Sequence, residues 1–96
     1  AGPDAVTKNL AVEWGQFGIR VAGIAPGPIA ETEGMRRLAP GNVDQLVRKA
    51  IPLGRFGAID EIAAAAVYLR SAEYVTGEVL VIDGGQSVCL PMFPTG

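Results

Sequence analysis

One stretch constrains this chain more than any other. The almost wholly apolar run Ile19–Ala25, IRVAGIA, stops at Pro26-Gly27-Pro28. A short run with little alternation and turn residues behind it reads as a strand buried on both faces, as in a parallel sheet covered by helices. Proline has no N–H to give to a ladder, so pairing is expected to end at Pro26. Gly27 lacks a Cβ, which would let another molecule come close to the backbone. Ligands of open α/β sheets sit just beyond the carboxyl ends of strands, so residues 26 to 32 form a candidate ligand wall, with the Thr32 hydroxyl at its end. The same Pro-Gly-Pro can also be plain loop punctuation.

The remaining segments supply helices and a second strand. Residues 1 to 17 read as a helix, with Pro3 and Asp4 in its first turn and Gly15 and Gly18 at its end. Val6, Leu10, Trp14 and Phe17 make an apolar stripe expected to face the core. Glu33–Leu38 is a candidate short helix whose start would bring positive dipole next to Thr32, and Arg36 and Arg37 follow within reach of a phosphate. Val43–Ala50 is a short amphipathic helix with Val43, Leu46, Val47 and Ala50 on one face. Ile59–Arg70 is the strongest helix, acidic at its start and basic at its end, with Ile62, Ala65, Ala66 and Leu69 as its buried face. Glu78–Ile82 reads as a second buried strand, Asp83-Gly84-Gly85 as a structural turn, and the tail from Gln86 shows no period. Strand, helices, strand is one βαβ crossover, hence an α/β fold. Two strands leave an open edge and a bare apolar face, so residues 1–96 are expected to be the C-terminal fragment of a single larger domain.

Composition narrows the chemistry. There is no histidine and only one cysteine among the 96 residues, which excludes a His/Cys zinc site and a Ser-His-Asp triad within this chain. No metal site is expected. Cys89 reads as a small apolar residue. The net charge is −2 with scattered basic residues, which argues against a nucleic-acid surface. The apolar helical run Ile62–Leu69 is far shorter than the roughly 20 residues that cross a bilayer, so no membrane partner is expected, and no signal peptide is recognisable. Glu13 reads as a solvated helix charge, and no catalytic acid or base can be named.

Several motifs resemble a known family. LAVEWG closing the first helix, IRVAGIAPGPI, DEIAAAAVYL and YVTGEVLVIDGG are similar, in this order and spacing, to the C-terminal portion of the short-chain dehydrogenase/reductases over residues 1 to about 88. LAVEWG with APGPI and the TEG-M-RRL segment is most similar to the peroxisomal-type 2,4-dienoyl-CoA reductases. The resemblance implies the C-terminal part of a Rossmann-type doubly wound parallel sheet, with about two strands and three to four helices here. It implies an NADP(H)-dependent oxidoreductase that reduces 2,4-dienoyl-CoA to enoyl-CoA in unsaturated fatty acid β-oxidation. Pro26, Gly27, Pro28, Ile29, Ala30, Glu31 and Thr32 would line the nicotinamide and pyrophosphate end of the cofactor, an unpaired stretch of main chain at Ile29 meeting the nicotinamide carboxamide and the Thr32 hydroxyl serving the carboxamide or a phosphate oxygen. Arg37 would contact the CoA moiety of an acyl-CoA substrate. A homo-oligomer, dimer or tetramer, is implied, in the cytoplasm or the peroxisome. The family's catalytic lysine would fall just before Ala1 and its Gly-rich phosphate loop further upstream, so the chain alone is expected to be inactive. Two alternatives stay open: another reductase of the family, such as one acting on 3-oxoacyl groups, and a non-catalytic assembly fragment.

Overall fold

In the computed structural model, residues 2–30 and 42–89 are described. Helix α1, Pro3–Trp14, continues as a 3-10 turn, Gly15–Phe17, and stops at Gly18 with φ 74°. Strand β1 is Gly23–Pro26, helix α2 Asn42–Lys49, helix α3 Ile59–Ser71, strand β2 Val79–Ile82 and helix α4 Gln86–Cys89. The two strands pair in parallel, Gly23 opposite Val79 through Pro26 opposite Ile82. Helices α1 and α3 both pack on β1. This is the α/β arrangement expected from the two apolar runs. The proposed helix over Glu33–Leu38 lies outside the described residues.

Strand β1 is shorter than the apolar run and is shifted toward its carboxyl end. The leading residues have other partners. The Val21 N–H donates to Thr76 Oγ1 at 3.0 Å, and the Val21 carbonyl accepts from the Gly77 N–H at 2.7 Å. Pairing ends at Pro26, as expected, with Pro26 opposite Ile82 as the last pair. The Gly23 N–H donates to the Glu78 carbonyl and the Gly27 N–H to the Ile82 carbonyl, each at 2.9 Å. Alternate residues therefore point their N–H at β2, and the missing N–H of Pro26 belongs to the opposite edge, so it costs no bond to β2. Neither strand is fully buried: Pro26 and Val81 are exposed and their neighbours half-buried.

Helix α1 also turns a different face inward. Ala11 is its buried residue, whereas Val6, Trp14 and Phe17 are exposed, Phe17 by 69%. The helix lies close to the sheet through small side chains. A Cβ placed on Gly77 would stand 3.4 Å from the Ala11 Cβ, and one on Gly23 would stand 3.5 Å from Thr7 Oγ1. Bulky residues cannot enter so narrow a contact, so Val6, Trp14 and Phe17 of the stripe are left exposed and Leu10 half-buried.

Helix α3 behaves nearly as its pattern suggests. Ala65 and Leu69 are buried and Ile62 is half-buried, but Ala66 is exposed. Over residues 43 to 50, Val47 is half-buried while Leu46 and Ala50 are exposed. Ile51, just beyond α2, is the most buried of the described apolar residues, at 3% exposure. The tail begins with a helical turn, against the reading of it as irregular. The Asp83 carboxylate accepts from the Gly85 N–H at 2.9 Å and the Ser87 N–H at 2.8 Å, which starts α4.

Candidate functional site

The chain leaves the carboxyl end of β1 at Pro26 and is caught again three residues later. Ile29 forms a parallel bridge with Gly57. The Pro28 carbonyl accepts from the Gly57 N–H at 3.0 Å, and the Ala30 N–H donates to the Gly57 carbonyl at 2.9 Å. The Ile29 side chain is buried, at 8% exposure. The expected unpaired stretch of main chain is therefore held on both sides of Ile29, and Ile29 itself is not without a partner.

Gly57 is in turn held by the start of α3. That helix has an alanine, Ala58, at its N-cap, which offers no side-chain acceptor. Glu61 supplies half of a capping box from the other direction: its Oε1 accepts from the Ala58 N–H at 2.9 Å. The same carboxylate receives a two-pronged contact from Arg55, Nη1 to Oε1 at 2.9 Å and Nη2 to Oε2 at 3.0 Å. The Arg55 hydrogen bond first, and the Ala58 N–H second, hold the Glu61 carboxyl down at about 2. Phe56 lies beneath the Arg48 guanidinium of α2, 4.8 Å from ring centroid to Cζ.

Gly27 lies tight against the end of β2. A Cβ there would stand 2.6 Å from the Asp83 Cβ and 2.8 Å from its Cα. On this side the missing Cβ makes room for the end of β2. Hydrogen bonds from Ser87, first of all, lower the Asp83 carboxyl from its usual value, and that carboxylate is committed to starting α4.

Of the expected site residues, Pro26 ends β1, and Gly27, Pro28, Ile29 and Ala30 follow it directly. Glu31, Thr32 and Arg37 fall outside the described residues. A cavity of about 680 Å³ adjoins residues 26 to 30: Leu53, Arg55, Gly57, Glu61, Asp83 and Val88 are among its walls, and none of residues 26 to 30 is. Its two shifted carboxylates, Glu61 and Asp83, are both explained by bonds that close local structure, so perturbation here does not mark catalysis. No group of metal-ligating side chains occurs among the described residues.

Residues 26 to 30 carry no ionisable side chain. A pinned, uncharged main-chain wall at the carboxyl end of a parallel sheet suits the reduced nicotinamide ring and its carboxamide. It does not suit a pyrophosphate, which needs clustered N–H donors or cations. The residues present fit one end of the dinucleotide only. Sequence reasoning missed Gly57, because a glycine before a helix start looks like any other loop glycine. It also missed the pairing of Arg55 with Glu61, which joins a loop to a helix six positions on.

The family model described as enoyl-(acyl carrier protein) reductase matches residues 1–87. The chain is 49% identical over 88 residues to a peroxisomal 2,4-dienoyl-CoA reductase of Arabidopsis thaliana, covering 88% of this chain and 30% of that protein. It is 53% identical over 87 residues to a peroxisomal 2,4-dienoyl-CoA reductase of Saccharomyces cerevisiae, again 88% of this chain and 30% of the relative. A gluconate 5-dehydrogenase of Burkholderia cenocepacia, solved in complex with NADP and tartrate, superposes with a TM-score of 0.79 at 34% identity, over 88% of this chain and 34% of that one. The chain thus spans about a third of the length of the proteins it matches. The match over residues 1–87, the parallel β1–β2 pair with its packed helices and the similarity to these proteins establish that the chain belongs to the short-chain dehydrogenase/reductase family.

Proposed function

We propose that residues 1–96 form the C-terminal third of a single NAD(P)-binding Rossmann domain in a reductase that takes 2,4-dienoyl-CoA to 3-enoyl-CoA with NADPH. The observation that carries this reading is the 49–53% identity to proteins named for that reaction. The pinned main chain at residues 28 to 30 supports it at the site itself.

NADPH, when bound, supplies the hydride, which goes to the far end of the conjugated diene. A proton added beside the thioester completes the 3-enoyl product, and the negative charge that builds on the thioester oxygen needs hydrogen-bond donors. This chain contributes the wall for the nicotinamide end at Pro26–Thr32, which orients the ring and excludes water. Arg37 offers a cation for a CoA phosphate. No residue of the chain is assigned the proton transfer. The exposed face of α1 would meet another copy in a homo-oligomer, and the peroxisomal names of the relatives favour that compartment over the cytoplasm.

The test is a full-length enzyme carrying this chain, supplied with NADPH and a 2,4-dienoyl-CoA. NADPH loss with an enoyl-CoA product is expected. A hydroxy product from a 3-oxoacyl substrate, with the dienoyl-CoA untouched, would instead favour the oxo-group reductase reading. Thr32→Val is expected to weaken cofactor binding by about 1–2 kcal/mol, the scale of a lost hydrogen bond with its partner left unsatisfied. Arg37→Ala is expected to raise KM for the CoA substrate and leave NADPH affinity unchanged; equal losses on both would remove Arg37 from the substrate site.

A further inference from the structure

We propose that Gly57 is a positioning residue for the cofactor, setting the path of Pro28–Ala30 and so the placement of the nicotinamide wall. The inference rests on the reading of residues 26 to 32 as that wall. Three observations lead to it. Gly57 binds the main chain on both sides of Ile29, through the Pro28 carbonyl and the Ala30 N–H. It stands against the buried Ile29 side chain so closely that a Cβ on residue 57 would lie 2.9 Å from Ile29 Cδ1. It is anchored from behind, because the residues on either side of it are tied down: Ala58 by the Glu61 carboxylate and Phe56 by the Arg48 guanidinium.

The extension of β1 is therefore placed by the start of α3, nearly thirty residues further along the chain. A side chain at 57 would press on Cδ1, the far tip of the Ile29 side chain, and the inference is that the packing around this buried residue leaves the tip too little room to turn aside. The displacement would pass to the main chain of residues 28 to 30. Gly57 does not belong to the glycines at positive φ, so alanine suits its backbone and the contact with Ile29 is the one thing changed.

The experiment uses the full-length enzyme with the variants Gly57→Ala, Ile29→Val, Gly57→Ala/Ile29→Val and Thr32→Val. NADPH dissociation constants are read by direct fluorescence titration, with thermal midpoints and KM for the acyl substrate alongside. Gly57→Ala is expected to raise the NADPH dissociation constant about tenfold, or about 1.4 kcal/mol, and to leave KM for the acyl substrate little changed. Ile29→Val removes Cδ1, so the double variant is expected to bind NADPH within about twofold of Ile29→Val alone, the additivity error of such cycles. An unchanged dissociation constant in Gly57→Ala, with Thr32→Val weakened, would leave the wall standing and overturn the role of Gly57. If both variants bind NADPH normally, the wall reading fails and takes this inference with it. A full additional loss in the double variant, or equal losses for cofactor and acyl substrate, would mark Gly57 as merely structural. Should Gly57→Ala not fold, the comparison of Ile29→Val with the double variant decides by the same criterion.

Discussion

Glu61 concentrates more local structure in one side chain than any other described carboxylate. Its two oxygens take both prongs of Arg55 and the N–H of Ala58. Its carboxyl is lowered from 4.5 to about 2. A group lowered on folding stabilises the native state above its unfolded value and loses that contribution as pH falls through its folded value. The contribution of Glu61 is thus present above pH 4.5 and fades between pH 4.5 and about 2. Glu61→Gln is expected to be less stable than the parent enzyme at pH 6, and the gap in thermal midpoint is expected to close toward pH 2. A gap that stays constant across this range would mean that the ion pair is not its source. The acidic start of α3 is legible in the sequence, but the pairing of Glu61 with Arg55 is not. Helical spacing speaks for contacts three or four residues apart, whereas this pair is six apart and joined by a bend.

At the scale of elements, the lower end of the βαβ unit is closed by Arg20. Its guanidinium donates to the carbonyls of Leu69, Arg70, Ala72 and Val75 at 2.8 to 3.3 Å. The last carbonyls of a helix have no partner within it, and a cation there also meets the negative end of the dipole. Arg20→Met should therefore cost about 2 kcal/mol of stability, the range for hydrogen bonds with a charged partner. Urea unfolding of the parent enzyme at unchanged m-value measures this, and a loss below about 0.5 kcal/mol, typical of surface substitutions, would deny Arg20 a capping role. The elements themselves were legible: β2, the long helix α3 and the α2 segment stand where the apolar runs and their punctuation put them, and β1 occupies the carboxyl end of its run. Which face of α1 turns inward was not. Periodicity ranks side chains by apolarity, but the contact of α1 with the sheet is decided by closeness, and Ala11 over Gly77 wins over Phe17. The boundary at Pro26 held, and the proline costs no bond there, since a proline is harmful only on the edge toward which its N–H would have pointed.

At the scale of the molecule, the described residues bury few side chains: Ala11, Ile29, Ile51, Ala65 and Leu69. Val12, Phe17, Leu53, Val81 and Val88 are among the large apolar residues left exposed. So small a core cannot offset the conformational entropy of ordering the chain, which is about 1–2 kcal/mol per residue for the backbone alone. The 96-residue chain produced by itself is therefore expected to bind a hydrophobic dye, to lack a cooperative urea transition and to bind NADPH more weakly than millimolar. A sharp transition, or micromolar NADPH binding, would show that it is self-sufficient. Intact mass of purified material comes first, because a mass near 9.9 kDa identifies the chain on its own.

The order of residues was enough to establish the α/β class, the parallel pairing, the long helix and the family, because each depends on local runs, their spacing or a motif read in sequence. It was also enough to bring attention to residues 26 to 30. The tertiary structure alone decided what those residues touch. It filled the gap at Gly27 with Asp83, and it placed Gly57 beneath Ile29. It drew Arg20 across to the end of α3. Each of these contacts joins positions far apart in the chain, where distance is set by how helices and strands stack and no local pattern records it.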